Sequence, residues 1–234
     1  MKQLVKFLLP VYILLFFTGC ETAQQVLGSM NTGSGALSST EIASGLKEAL
    51  SIGTQNSTSR LSAVDGFFSN AAIKILLPEE AGKVESTLRN IGLGSLVDKA
   101  ILSINRAAEE ASKEATPIFV NAIKEMTITD ALGILKGGDY AATDYFKIKT
   151  TAPLTNAFKP VIEKALAKTN ATKYWSDVFS AYNKFTAKPI NPDLSGYVTE
   201  KSLSGIFYEV SLEEQKIRKD PAARVTELLK KVFG

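Results

Sequence analysis

The sequence predicts an all-α protein, a single irregular helical bundle of about eight to ten helices after a signal peptide and a flexible tether. Three observations predict it. Apolar residues recur at three- and four-residue spacing from Ser38 to Gly234. No stretch sustains the period-two alternation of a half-buried strand. Glycines, prolines and small polar caps cut the apolar stripes into helix-length pieces.

Met1-Lys2-Gln3-Leu4-Val5-Lys6 sets two lysines before the apolar run 7–17, and Thr18-Gly19-Cys20 ends it with small residues. These are the three parts of an export signal. The 11-residue run contains Pro10 and would cover roughly 16 Å as a helix, about half of a bilayer core. It is too short for a permanent span. Residues 17–20 resemble a lipobox, with Phe17 where leucine is more usual; in such signals the cysteine is lipidated and becomes the mature N-terminus. The alternative is an ordinary signal peptide with Cys20 incidental. The small pair Thr18-Gly19 abuts the only cysteine in the chain, which favours lipidation. Residues 1–19 are thus read as a lipoprotein signal peptide, 20–37 as a lipidated tether and 38–234 as the folded domain. The stretch 21–37 is rich in Gly, Ser, Thr and Asn, and 17 such residues reach roughly 23 Å.

The domain opens on Ser38-x-x-Glu41, a capping-box pattern. Ile42, Leu46, Ala49 and Leu50 then share a helical face, and the helix is expected to end near residues 61–64. Asp65-Gly66 turns the chain. The apolar run 71–77 fits a helix or a strand and is stopped by Pro78, after which Glu79 and Glu80 suit the first turn of a helix closing at Gly92. Ser95 is the expected cap of the next helix, with Leu96, Ala100, Ile104, Ala107, Ala108 and Ala111 as its buried stripe. Pro117 is expected to kink or restart it before Phe119, Ala122, Ile123 and Met126. Thr127-x-x-Asp130 starts a short helix ending at Gly137-Gly138, and Asp139 is placed to cap the next. Residues 141–149, 154–168 and 172–185 read as three pieces separated by prolines, and 188–192 as a loop. Leu203, Ile206, Phe207 and Val210 form a later stripe. Asp220-Pro221 opens the last helix, with Val225, Leu228, Leu229 and Val232 on its apolar face.

The chemical inventory excludes more than it includes. The chain has no histidine and one cysteine, so Ser-His-Asp and Cys-His catalysis and the usual zinc ligands are missing. With Cys20 carrying lipid, no internal disulfide can form, and the domain must rely on its core, which at this size can bury about 70% of the unfolded surface. Gly92-Leu93-Gly94 lacks the spacing of a phosphate cradle. No cofactor and no metal site is expected. Without Lys2 and Lys6 the chain keeps 25 basic against 24 acidic residues, interspersed rather than clustered, which argues against nucleic acid as a partner.

Asp130, Asp139 and Asp144 cluster in sequence with Tyr145, and paired carboxylates can in principle hydrolyse glycosides. Helix capping by Asp130 and Asp139 and a solvated face for Asp144 explain the same residues more simply. Arg106 and Glu110, like Glu109 and Lys113, have the one-turn spacing of surface pairs; an anchoring role for Arg106 between helices is the less favoured reading. Tyr174, Trp175, Phe179, Tyr182 and Phe185 read as core aromatics, with a ligand groove or membrane-facing patch as the alternative.

Several stretches together resemble the bacterial family called domain of unknown function 4197: Gly45-Leu46-Lys47-Glu48-Ala49-Leu50, Asp65-Gly66-Phe67, Asn105-Arg106-Ala107-Ala108-Glu109, Pro117-Ile118-Phe119 and Tyr197-Val198-Thr199. Gly133-Ile134-Leu135, Ala141-Ala142-Thr143 with Tyr145-Phe146, and the tail from Pro221-Ala222-Ala223-Arg224 to Gly234 complete the likeness. The resemblance implies a helical exported domain, often a lipoprotein, and carries no activity. Tyr140 and Ser204 depart from it, standing where the family commonly has an acidic residue.

The function expected is a lipid-anchored lipoprotein of the bacterial cell envelope, its domain outside the cytoplasm, on the outer membrane where the cell has two. Its helical domain would bind or scaffold without catalysis, engaging the membrane through the N-terminal lipid and an envelope protein, peptide or lipid. The alternative is a carboxylate-based hydrolase of cell-wall glycan. The candidate polar cluster is Arg106, Asp130, Asp139, Asp144, Tyr145 and Arg224, with Arg224 expected to pair with Asp139 or Asp144 and lock the terminal helix.

Overall fold

Helix α1 (Ser39–Ser62) starts directly after Ser38 and carries Glu41 in its first turn. Its first half buries Leu46, Ala49 and Leu50. Its second half is poor in apolar residues and buries hydroxyls instead. Thr54 and Ser57 donate to the carbonyls of Leu50 and Gly53 at 2.8 and 2.9 Å, and Thr58 meets Thr116 at 2.7 Å. Satisfied hydroxyls let this end of the helix stay inside.

The computed structural model describes residues 37–168, 172, 175, 183, 189 and 193–234. The leader, the lipobox, the tether up to residue 36, the aromatics Tyr174, Phe179, Tyr182 and Phe185, and most of the loop 188–192 lie outside the described residues. After α1 come a 3-10 turn (Glu79–Ala81), α2 (Gly82–Asn90), α3 (Gly94–Ala111), a second turn (Ser112–Glu114) and α4 (Ala115–Glu125). Then follow α5 (Ile128–Lys136), α6 (Ala141–Ala167), α7 (Leu194–Lys219), a third turn (Pro221–Ala223) and α8 (Glu227–Phe233). No strand occurs among the described residues, so the fold is all-α. Helices α6 and α7 pack along one another, α3 lies on α6, and α1 packs against α4, α5, α7 and α8. Where α4, α6 and α7 meet, Phe119 stands edge-on to Phe146 and Phe207, with ring centroids 5.2 and 6.4 Å apart.

Several sequence expectations are corrected. The pieces 141–149 and 154–168 are one helix, α6, with Pro153 and Pro160 inside it. Each proline costs about 3 kcal/mol in a helix interior. Both, however, lie on the exposed side, while Leu154, Phe158, Ile162 and Leu166 are fully buried on the other. Burying four such side chains is worth about 6–12 kcal/mol, so packing wins. Helix α3 begins at Gly94 with Leu93, not Ser95, at its N-cap, and Leu96 is 54% exposed while Val97 and Ile101 are buried. The last helix starts six residues after Pro221, with Thr226 rather than Asp220 as its N-cap, and Val225 stands exposed before it. Asp220 caps only the short turn. Gly45 of α1 lets α8 come close, since a Cβ there would stand 2.7 Å from Val232.

The cap expected of Asp139 comes from another helix. Tyr140 is the N-cap of α6 and makes no side-chain cap bond. Glu214 of α7, 6% exposed, accepts instead from the amides of Ala142 and Thr143 at 3.0 and 2.9 Å and from the Thr143 hydroxyl at 2.8 Å. One turn on, Arg218 bonds Glu214 at 2.8 Å and donates to the Ile134 carbonyl at 2.8 Å. An anion thus meets the positive end of α6 and a cation the negative end of α5, as the helix dipoles favour. A second knot joins α1 to α7: Arg60 reaches Glu209 at 3.0 Å and Glu213 at 2.9 Å, with Asn56 also donating to Glu213. Burial alone would push the Glu213 carboxyl up. Hydrogen bonds from Lys216 and Asn56 and the charges of Arg60 and Lys216 outweigh it and hold the group below its ordinary value.

Two stability measurements follow from these knots. Glu214→Ala strands two buried amides, at about 1–3 kcal/mol each, so urea denaturation should show a loss of about 3 kcal/mol; an unchanged midpoint would refute the capping role. For Glu213 the depressed folded pKa means that its stabilising contribution is present above the unfolded value and disappears as pH falls through the folded one. The stability gap between the native chain and Glu213→Gln should therefore narrow on going from pH 7 to about pH 3. A gap independent of pH would contradict the assignment.

Candidate functional site

The segment between α1 and α2 is held from behind by carboxylates and an amide. Asp65, in the left-handed region at φ 68°, and Gly66 turn the chain under α3. Buried Glu109 accepts from the amides of Phe67 and Phe68, both at 3.2 Å, and Asn70 donates to Glu209 of α7 at 3.0 Å. Asn105, wholly buried, takes the Ile75 amide at 2.9 Å and donates to the Ile75 carbonyl at 2.8 Å. That exchange is the pairing a neighbouring strand would make. Residues 74–78 are therefore neither the helix nor the paired strand that the apolar run allowed; they are a non-helical segment clamped by one side chain. Gly205 makes this possible on the α7 side, since a Cβ there would lie 2.6 Å from the Phe67 ring.

The clamped segment and α7 are two walls of a groove of about 780 Å³. Lys74, Leu76 and Glu79 line it from the segment, and Tyr197, Lys201 and Tyr208 from α7. The Tyr197 hydroxyl donates to the Leu76 carbonyl at 2.8 Å. Trp175 borders the groove and stacks on Tyr197, centroids 6.0 Å apart and planes 21° from parallel. It is 8% exposed. Core and groove readings of the aromatic group thus meet in this one ring. Lys201 lies 5.7 Å from the Tyr197 centroid and Lys74 sits 3.9 Å over Phe68. Leu76 is 54% and Tyr208 41% exposed.

The predicted polar cluster does not assemble into one site. Arg106, 37% exposed, bridges Asp65 at 2.7 Å and buried Glu109 at 2.6 Å, so it anchors the turn after α1 to its own helix; it makes neither the surface pair expected with Glu110, which Lys113 takes, nor a link from helix to helix. Asp130 forms the capping box of α5 with Thr127, whose amide and hydroxyl hold its carboxyl below the ordinary range. Asp139 pairs with Lys219 at 2.7 Å, which lowers its pKa in the same way. Asp144 makes an exposed 3.5 Å contact with Lys147. Burial raises the Tyr145 hydroxyl, with the Asp130 charge adding to it. Arg224 pairs with neither Asp139 nor Asp144. It donates to the carbonyls of Ile217 and Arg218 at 3.1 and 3.0 Å, the groups that the end of α7 leaves open.

Sequence reasoning read Glu109 as a surface partner of Lys113, whereas it is buried and Lys113 pairs with Glu110, and it gave no role to Asn105, Glu209, Glu213 or Glu214. A signal for Glu109 and Asn105 was present: Asn105 follows Ile101 by four residues and precedes Glu109 by four, in phase with the apolar stripe. A polar residue on a buried stripe needs a partner from elsewhere in the chain.

As chemistry, the arrangement offers an aromatic and aliphatic channel edged by charges of both signs. Among the described residues the carboxylates with displaced acidity, Asp130, Asp139, Asp193, Glu213 and Glu227, are shifted down, whereas a glycosidase acid needs an upward shift. Among the described residues no group of three carboxylates or thiols is placed to hold a metal ion.

No curated protein and no solved structure matches the chain. A family model described as a protein of unknown function, DUF4197, matches residues 36–234. That match covers well over half of the chain, so this protein belongs to the DUF4197 family.

Proposed function

We propose that this chain is a lipid-anchored envelope lipoprotein whose helical domain is a non-catalytic binding module presenting the groove along α7. Cys20 carries the lipid and residues 20–37 tether the domain outside the cytoplasm, at the outer membrane of a two-membrane cell. The anchor is supported by the lone cysteine behind Thr18-Gly19 and an apolar run too short to span a bilayer. No helix among the described residues is long and apolar enough to cross a membrane.

One observation carries the module reading. The buried glutamates each act as clamps on backbone or on arginine, and the groove that the described residues form along α7 combines aromatic and aliphatic groups with the charged Lys74, Glu79, Glu200 and Lys201. A concave surface that joins apolar area to oriented polar groups is the character of a binding site. The hydrolase alternative would rest on Glu79 and Glu200, carboxylates from the two walls of the same groove.

Mass spectrometry of the protein purified from membranes should show residues 1–19 removed and an acylated Cys20; a bare thiol or an intact leader would overturn the anchor. Purified protein incubated with cell-wall sacculi should release no soluble glycan. Release that disappears in Glu79→Gln or Glu200→Gln would replace the module with the hydrolase.

A further inference from the structure

The groove has a wall with an open backbone. Asn105 closes the inner side of Ile75 by taking its amide and its carbonyl together, which requires both groups to point the same way. That is extended geometry, and Pro78 continues it with φ −63° and ψ 150°. In extended backbone, neighbouring residues direct their polar groups to opposite sides. Leu76 therefore turns its amide and carbonyl away from Asn105, and the Tyr197 hydroxyl meeting that carbonyl shows that this side faces α7. The Leu76 amide has no hydrogen-bond partner among the described residues. Its carbonyl has a second lone pair beyond the one Tyr197 uses. One residue thus offers a donor and an acceptor side by side into the groove.

The geometry points to an extended peptide as the occupant, paired with Leu76 through the peptide's own carbonyl and amide. Dimensions agree. From Tyr197 to Tyr208 the α7 wall runs 11 residues, roughly 16 Å of helix, the length of a strand of about five residues. The flanking surface suits alternate side chains of such a strand. The rings of Tyr197 and Tyr208 lie on α7, and exposed Leu76 stands on the opposite wall. Lys74 and Lys201, with Glu79 and Glu200, provide both signs of charge for the outward-facing residues. A compact ligand could pair with Leu76 too, but it would leave most of the α7 wall from Tyr197 to Tyr208 uncovered. Strand addition to an open edge uses the backbone pair and the flanking wall together.

This inference rests on the module reading and is independent of the lipid on Cys20. Random octapeptides displayed on phage would be panned against the full chain, and selected peptides titrated against it using the fluorescence of Trp175, the only tryptophan. Peptides should be recovered whose binding falls at least tenfold when the amide that pairs with Leu76 is N-methylated, and at least tenfold in Leu76→Pro. That substitution deletes the donor at an exposed site where an extended φ already fits proline. The helical circular-dichroism signal and the thermal midpoint of Leu76→Pro, matching those of the native chain, report that the fold is intact. Recovery of no peptide, or peptides indifferent both to N-methylation and to Leu76→Pro, would overturn the proposal. The sacculus assay decides separately between module and hydrolase, so a failure here leaves that result readable.

Discussion

The fold depends on side chains of α7 satisfying backbone that other helices leave open. Glu214 and Arg218, one turn apart, occupy the junction of α5 and α6, where one helix presents bare carbonyls and the next bare amides. A helix end buried without partners costs a few kcal/mol. The pair answers both ends at once and with the sign each dipole prefers. Taking two charges out of water is expensive, but here their attraction is joined by four hydrogen bonds to amides, a hydroxyl and a carbonyl. The same device recurs where Glu109 receives two amides of the α1–α2 connection. In a domain with no cysteine and no histidine, these buried carboxylates do what a disulfide or a metal does in other folds. They fix irregular backbone to a helix.

Helices with their own end signals were legible from sequence, and interactions between distant helices were not. The α5 start at Thr127 and Asp130 is a local code, closed within three residues, and the structure repeats it. The stripe Leu203, Ile206, Phe207 and Val210 is likewise local and is buried. The cap of α6 failed to follow the local code because the carboxylate that accepts from its first amides, Glu214, lies 71 residues away. With α6 capped from outside, Asp139 is released to the surface, where it meets Lys219. Continuity of α6 through Pro153 and Pro160 is the same lesson from packing. Proline chemistry is local, while the four buried side chains that outweigh it depend on α3 and α7 being present.

The candidate site was only partly readable for a related reason. The apolar run 71–77 gave two local answers, helix or strand, and the chain takes neither because Asn105 supplies the pairing that a strand would have needed. The polar cluster proposed from sequence proximity dispersed into caps and clamps. Arg106 became an anchor through Asp65 and Glu109, and Arg224 the terminator of α7. Clustering in sequence brings residues into one region, but hydrogen-bond demand at helix ends decides where each side chain goes.

The clamps also determine what the groove is. A segment without regular structure normally loses more conformational entropy on ordering than its few contacts return, and would be a poor recognition surface. Residues 67–76 escape this through Glu109, Glu209, Asn105 and Tyr197, which hold backbone or side chain from behind and beside. Each uses an inward or lateral group and none occupies the Leu76 amide. The ordering cost is met on folding, so a partner entering the groove does not bear it again. An edge kept rigid by its back face and left open on its front is preorganised for backbone pairing.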